Sequence, residues 1–134
     1  ALEGLMAACA ATRVDAAAVT RLESLVERNA RLVDLPQEAA EAGHGLHLAI
    51  AEIAGNDWAT KLHSQVDAQM SRYRHYTNET QKRREAALDE HRRIVEALRT
   101  GNAATARSAA ESHVLAARDT ALASIAGRLR AQRL

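Results

Sequence analysis

The sequence has very few places at which a helix would have to stop. Pro36 is the only proline, and the six glycines are grouped rather than spread along the chain. No stretch keeps the alternation of apolar and polar residues that marks a half-buried strand. Since proline and glycine are the main breakers of regular structure, most of the chain is free to form helices. This pattern predicts an all-α protein made of long helices.

The composition narrows the class further. Hydrophobic residues make up 47% of the 134 residues, although aromatic residues make up only 2%. Alanine supplies the largest part of the hydrophobic share. A chain of this length forms one domain, and it is too apolar and too close to neutral, at +1, to be disordered. The single cysteine, Cys9, excludes an intrachain disulfide and a multi-cysteine zinc site. No apolar run approaches the ~18 residues of a membrane span, and no signal peptide is evident. We therefore expect a soluble, cytoplasmic protein.

Capping residues and apolar spacing divide the chain into about six helices. The expected helices cover about residues 1–12, 16–33, 36–55, 57–76, 85–100 and 103–125. Asp15, Asp57 and Asn102 are the expected N-terminal caps, and Pro36 suits the start of the third helix. The polar residues 77–84 are the expected loop. The result would be an antiparallel helical bundle.

Charge is unevenly divided between the two halves of the chain. Residues 1–67 carry a net charge of −5 and residues 68–134 a net charge of +6. One interpretation is a basic nucleic-acid-binding face on the second half. We prefer the other, that the two halves pack together, because the basic residues are interleaved with acidic ones and few aromatic residues are available to stack on bases.

Three of the six histidines lie within the inward-facing stripes of three different helices. His47 shares a side of the third helix with Ile50, His91 lies in the apolar stripe of the fifth, and His113 follows the alanine row of the sixth. The small alanines around His113 leave room for a cavity. Neutral imidazole is the commonest metal ligand, and unpaired buried imidazoles are costly. Two interpretations stay open at this point, a metal site and a set of histidines that only hydrogen-bond in the core.

The other histidines are weaker candidates. His44 lies three residues before His47 and can reach the same side of its helix. His63 has Asp67 one turn further on, which is a possible ligand pair but more typical of a surface contact. We expect His75 at the surface or at the rim of a pocket.

Enzyme motifs fit the chain poorly. There is no HExxH sequence and no glycine-rich phosphate loop, and the Glu-x-x-His pattern that a di-iron bundle needs twice occurs once, at Glu41 to His44. We therefore expect a protein that is not an enzyme. The alternative is a metal-dependent enzyme that uses the same three histidines, with Glu41 or Glu90 as the general base.

The order of motifs along the chain resembles a known family. Residues 46–56, LHLAIAEIAGN, resemble a histidine-containing helix of the FCD domain, the effector-binding C-terminal domain of the FadR subfamily of GntR-type transcriptional regulators. Residues 90–97 are similar to its Glu-His segment, residues 101–106 to its Gly-Asp segment, and His113 falls at its final histidine. Residues 2–13 are similar to its opening helix, so the resemblance covers about residues 2–117.

The resemblance implies a helical bundle with a divalent transition metal, zinc or nickel, bound by one aspartate and three histidines. The histidines would be His47, His91 and His113, the same three that the helical faces select. The family's aspartate falls at Gly43 in this sequence. His44 or water would then take the fourth position.

The resemblance also implies a small organic acid as effector, a homodimer, and a winged helix-turn-helix that binds DNA and precedes residue 1. The whole of residues 1–134 would be one ligand-binding domain. Arg72 and Arg74 are the candidates for binding the carboxylate of the effector. Arg72 is preferred because it lies nearer a row on the fourth helix that we expect to face inward. That row consists of Leu62, Val66, Met70 and Tyr73.

Overall fold

The computed structural model describes residues 1–134, nearly all of which lie in helices. In chain order the α-helices are α1 (Leu2–Ala11), α2 (Ala16–Arg31), α3 (Pro36–Ala54), α4 (Asp57–Met70), α5 (Gln81–Arg99) and α6 (Ala103–Gln132). A 3₁₀ helix, Ser71–Thr77, continues α4. There is no strand, so the predicted all-α bundle is confirmed. None of the helices combines the length and the apolar character needed to cross a membrane.

Polar side chains cap most of the helices. The caps expected at Asp15 and Asn102 are confirmed, since each side chain accepts a backbone N–H from the first turn of its helix. At α4 the prediction is wrong by one residue, because Asn56 is the cap and Asp57 begins the helix. The cap of α5 is Thr80, which was expected to lie within a loop.

The connection between α4 and α5 is shorter than the sequence suggested. Residues 77–84 were expected to form a loop, but the 3₁₀ helix extends to Thr77 and α5 begins at Gln81. Only residues 78–80 separate the two. A glycine ends α3: Gly55 adopts a φ of 61°, a left-handed backbone conformation that residues with a Cβ rarely adopt.

The core lies where α1, α3, α5 and α6 meet, and α2 covers it by packing on α3 and α5. Its largest fully buried side chains are Met6, Leu22, Leu46, Ile50, Ile94 and Leu98. Each contributes about 1.5–3 kcal/mol through removal of apolar surface from water. Alanines fill much of the remaining core and allow the helices to approach closely.

The fourth helix presents its apolar row outward, contrary to expectation. Leu62, Val66 and Met70 are each about half exposed, and Tyr73 is exposed as well. Buried positions on α4 are instead Ala59 and His63. The spacing of an amphipathic helix shows which side is apolar, but it does not show which neighbour covers that side.

Candidate metal centre

The three histidines of the inward stripes lie against one another inside the bundle. His47 comes from α3, His91 from α5 and His113 from α6. Their ring centres are 4.6 to 5.1 Å apart, and one ring nitrogen of each lies within 4.8 Å of the others. We refer to these residues as the three-histidine centre.

The spacing of the nitrogens suits a metal ion. His47 Nε2 and His113 Nε2 are 3.2 Å apart. Two nitrogens bound to one tetrahedral zinc ion at 2.0–2.1 Å would be separated by about 3.3 Å. The same distance also suits a single N–H···N hydrogen bond. The distance alone therefore fits either interpretation, and the partners of the other ring nitrogens become the more informative observation.

Each ring has an acceptor on its Nδ1. The partners are Glu3 Oε2 for His47 at 3.2 Å, Asn29 Oδ1 for His91 at 2.8 Å and Glu90 Oε2 for His113 at 2.6 Å. An acceptor at Nδ1 fixes the proton there and leaves the Nε2 lone pair free to bind a metal. Such outer partners are the usual surroundings of metal-binding histidines, whose rings they orient.

The two glutamates of this outer layer are shared with second partners. Glu3 Oε1 lies 2.6 Å from His63 Nε2, and both oxygens of Glu90 accept hydrogen bonds of 2.8 Å from Arg83. Burial raises the pKa of both carboxyl groups, but their hydrogen bonds outweigh burial: those with His47 and His63 at Glu3, and those with His113 and Arg83 at Glu90. They hold the pKa of Glu3 far below its usual range and lower that of Glu90 to about 2. At neutral pH both groups are therefore carboxylates.

The electrostatics keep two of the imidazoles neutral. Burial lowers the pKa of His91 well below its usual value, and the neighbouring His47 and His113 act in the same direction. Burial also lowers the pKa of His113, although its hydrogen bond with Glu90 opposes this. Neutral imidazole is the form that binds metal, so the lowered pKa values of His91 and His113 favour metal binding by these two rings.

A cavity of about 150 Å³ lies against the three-histidine centre. Its wall is polar apart from the alanines Ala39, Ala40, Ala87 and Ala117. Ala117 belongs to the alanine row of α6 that was expected to leave room beside His113. A cavity of this volume holds a molecule about the size of benzene, which corresponds to about six to eight non-hydrogen atoms.

His44 lies on the cavity wall beside the centre rather than within it. Its Nε2 is 3.5 Å from Asp67 Oδ2, and it does not belong to the group of three close nitrogens. Asp67 in turn accepts a 2.6 Å hydrogen bond from Arg74. Burial lowers the pKa of His44, and the positive charge of Arg74 adds to this effect. His44 is thus a weaker candidate metal ligand than the three histidines, and it lies at the edge of the site.

The two candidate arginines differ in position. Arg74 lines the cavity, whereas Arg72 is exposed, with its guanidinium 5.8 Å from the ring centre of Tyr73. The preference for Arg72 depended on an inward-facing row of α4, and that row is exposed. The geometry therefore reverses the order and leaves Arg74 as the cavity residue. His75 is exposed, with its ring against that of Tyr76.

His63 was expected to make a surface contact, and this expectation is wrong. The residue is buried on the inner side of α4, where its Nε2 faces Glu3. This hydrogen bond raises the pKa of His63 above its usual value, in spite of burial. Glu3 and His63 are therefore a buried, hydrogen-bonded pair beside the centre, and the pairing favours the protonated form of His63.

Sequence reasoning did not single out Glu3 or Asn29 as site residues, although the sequence contains a signal for both. Each is a lone polar residue within an apolar stripe. Glu3 lies on the side of α1 that also carries Met6 and Ala10. Asn29 follows Val26 on the buried side of α2. A polar side chain that points into a core needs a buried partner, and here that partner is a histidine of the centre.

Gly43 occupies the position at which the resemblance places an aspartate. A Cβ at this position would lie 3.0 Å from His91 Cε1, so the edge of the His91 ring takes up the space that a side chain would need. The only group of potential ligands close enough to share an ion consists of the three histidines. The potential metal ligands of the centre are thus all nitrogen atoms, and they lie against the cavity.

Neither candidate base of the enzyme alternative is placed to act as one. Glu90 is engaged by His113 and Arg83, and a carboxylate with a pKa near 2 is a weak base at neutral pH. Glu41 is exposed and hydrogen-bonds to Gln37.

Comparison with known protein families agrees with this geometry. The model of the FCD domain matches residues 1–117. The chain belongs to the FCD family. The match includes all three histidines of the centre and their outer partners. FCD domains are the regulatory, effector-binding domains of GntR-type regulators. No curated protein matches this FCD domain.

Proposed function

We propose that this FCD domain senses a small organic acid through a divalent metal ion bound by His47, His91 and His113. The observation that carries the proposal is the close approach of one ring nitrogen from each of the three histidines, at the wall of a small polar cavity, while the Nδ1 atom of each ring has an acceptor elsewhere. Histidines that served only to fill hydrogen bonds in the core would not need to converge on a cavity.

The donor set points to zinc or nickel. Imidazole nitrogens suit these ions, and three protein ligands leave at least one position open. Water, or His44 after a small movement, would fill that position when no effector is bound. When bound, the metal ion supplies a positive centre that attracts a carboxylate oxygen.

The cavity wall favours an acid. Arg74, Arg83 and Arg84 all line it. Arg74 is the least buried of these and is held by Asp67 alone, so it is best placed to form a charge-assisted hydrogen bond with an incoming carboxylate. The volume of about 150 Å³ restricts the effector to a molecule of about six to eight non-hydrogen atoms.

Regulation follows from linkage between two sites. If the effector binds one arrangement of the bundle more tightly than another, it shifts the population toward that arrangement. A winged helix-turn-helix joined to this domain would then bind its operator DNA with a changed affinity. Such a regulator acts in the cytoplasm, where bacterial DNA lies.

A thermal-shift experiment tests the sensor proposal. Zinc should raise the Tm of the metal-stripped domain, and small carboxylates should raise it further in the zinc-loaded form. His91→Ala should lose both responses, whereas His75→Ala, which removes an exposed histidine, should keep them. The proposal fails if no metal or carboxylate stabilises the domain, or if His91→Ala responds as the natural protein does.

We further propose that the domain pairs with a second copy of itself through the exposed row of α4. FCD domains of GntR-type regulators dimerise. Apolar residues recur on α4 at intervals of four, which forms one continuous stripe on the surface; they are Trp58, Leu62, Val66 and Met70. A twofold axis across this stripe would bury it against its own copy.

Sedimentation measurements test this interface. Leu62→Glu places a charge in the centre of the stripe and should yield a monomer. Gln65→Glu adds the same charge at an exposed position beside the stripe and should leave the dimer intact. A dimer that persists in Leu62→Glu would show that copies pair elsewhere.

A further inference from the structure

One cation on the cavity wall has no counter-charge. Arg84 is only 7% exposed, yet all of its hydrogen-bond partners are neutral oxygens. These are Val33 O at 2.7 Å, Asn78 O at 2.9 Å, Glu79 O at 2.8 Å and Gln81 Oε1 at 2.8 Å. A guanidinium has five N–H donors, so one N–H of Nη2 remains without a protein acceptor.

The other charged groups of the cavity are paired. Arg83 is bound by Glu90, Arg74 by Asp67, and Glu3 faces His63. No carboxylate lies within ion-pair distance of Arg84. Asp34 is connected to Arg84 only indirectly. The Gln81 amide nitrogen donates to Asp34 at 2.6 Å, and the Gln81 amide oxygen accepts from Arg84.

The neighbouring Arg83 also has an N–H donor without an acceptor. Its Nε is the one buried side-chain nitrogen or oxygen of the protein that lacks a hydrogen-bond partner. The adjacent residues 83 and 84 thus place more buried N–H groups and more positive charge beside the cavity than the protein neutralises.

A buried charge without a partner ion is unfavourable, and the interaction with an opposite charge is strong where water is scarce. We propose that Arg84 determines the charge of the effector: its unpaired guanidinium makes the cavity select an anion over a neutral molecule of the same shape. The inference rests on the proposed function and adds the residue that sets the charge of its ligand. Arg84 acts as a specificity-determining residue, and the metal is not needed for this discrimination.

Acetate and acetamide are suitable probes, because they have the same shape and differ in charge. Their affinities for the full chain, measured by calorimetry in the metal-stripped and the zinc-loaded form, give a ratio that reports charge selection. Arg84→Gln removes the charge and should lower the acetate-to-acetamide ratio about tenfold, since hydrogen bonds to charged groups are the stronger ones. Arg84→Lys keeps the charge but has fewer donors, so its ratio should stay above that of Arg84→Gln.

Arg84 also donates to backbone oxygens of two separate connections, at Val33 and at Asn78 and Glu79, so its replacement can affect folding. Gln81→Glu tests the same point with the guanidinium retained, because it places a carboxylate where the neutral acceptor of Arg84 Nη2 now lies. It also removes the N–H that Gln81 donates to Asp34, so the Tm of this variant is compared with that of Gln81→Ala, which loses the same donor. This variant should lower the ratio as Arg84→Gln does. Gln81→Ala removes the same acceptor without adding charge and should preserve the preference for acetate.

The outcomes separate the inference from the proposed function. If Arg84→Gln and Gln81→Glu weaken acetate and acetamide equally, Arg84 has a structural role only and the inference is overturned while the sensor proposal stands. If the natural protein binds neither probe, the proposed function fails and the inference fails with it.

Discussion

His47 Nε2 lies 3.2 Å from His113 Nε2, although 66 positions separate the two residues in the chain. The opposite edge of each ring is bound to a carboxylate, Glu3 for His47 and Glu90 for His113. Two lone pairs that face one another at this distance are stabilised by a cation between them. Because α1, α3, α5 and α6 all contribute to this arrangement, metal binding at the centre would be coupled to the packing of the whole bundle.

Glu3→Gln should weaken zinc binding about 10- to 100-fold, the usual effect of losing an outer partner of a metal-binding histidine. The neutral amide cannot accept fully from both His47 and His63, so the His47 ring is oriented less firmly. Calorimetric titration with zinc measures the change. Glu23→Gln, at an exposed position of α2, should bind zinc as the natural protein does. Unchanged affinity in Glu3→Gln would show that Glu3 does not orient the centre.

Gly43→Ala should weaken zinc binding about tenfold, because its Cβ would lie 3.0 Å from His91 Cε1 and displace the ring. Alanine is the better helix former by about 1 kcal/mol, so the loss would not reflect a weaker helix. Gly43→Asp should bind zinc more tightly than Gly43→Ala, since its carboxylate can serve as a fourth ligand. It should also bind acetate more weakly, because that carboxylate takes an open position. Equal zinc affinities of the two variants would contradict this account.

The free energy of unfolding of the metal-stripped domain should decrease as the pH falls from about 5 to 2. Glu90 has a pKa of about 2 in the folded state and an ordinary carboxyl pKa when unfolded, so the unfolded state takes up the proton first. The stability that this carboxylate contributes is therefore complete above the unfolded pKa and is lost toward pH 2. Its size is on the order of 2 kcal/mol.

Urea unfolding at a series of pH values measures this dependence. Glu90→Gln should be less stable than the natural protein at neutral pH, because Arg83 loses its partner, and its stability should change less between pH 5 and 2. Glu23→Gln should retain the full dependence. An equally steep acid loss in Glu90→Gln would assign the effect to other groups.

The fold and the three histidines were predictable because local signals specify them. Caps such as Asp15 and Asn102 and the left-handed Gly55 act within one turn of a helix. His91 and His113 occur in inward stripes, and a stripe shows the buried side of its own helix regardless of the partner.

The rest of the site depends on contacts between residues distant in the chain. Asn29 and His91 are 62 positions apart, and Arg84 donates to the backbone oxygen of Val33, which is 51 positions away. No local pattern specifies such pairs. The outward row of α4 was misassigned for a related reason, because the spacing of Leu62, Val66 and Met70 is the same whether the covering surface belongs to this chain or to another.

The most direct test of the account is the anomalous diffraction of crystals of the full chain grown with zinc. We predict one strong peak inside the bundle, about 2.0–2.1 Å from Nε2 of each of His47, His91 and His113, with acetate reaching it from the cavity when present. A peak at His63 and Asp67 instead, or no peak at the three-histidine centre at saturating zinc, would contradict the central claim.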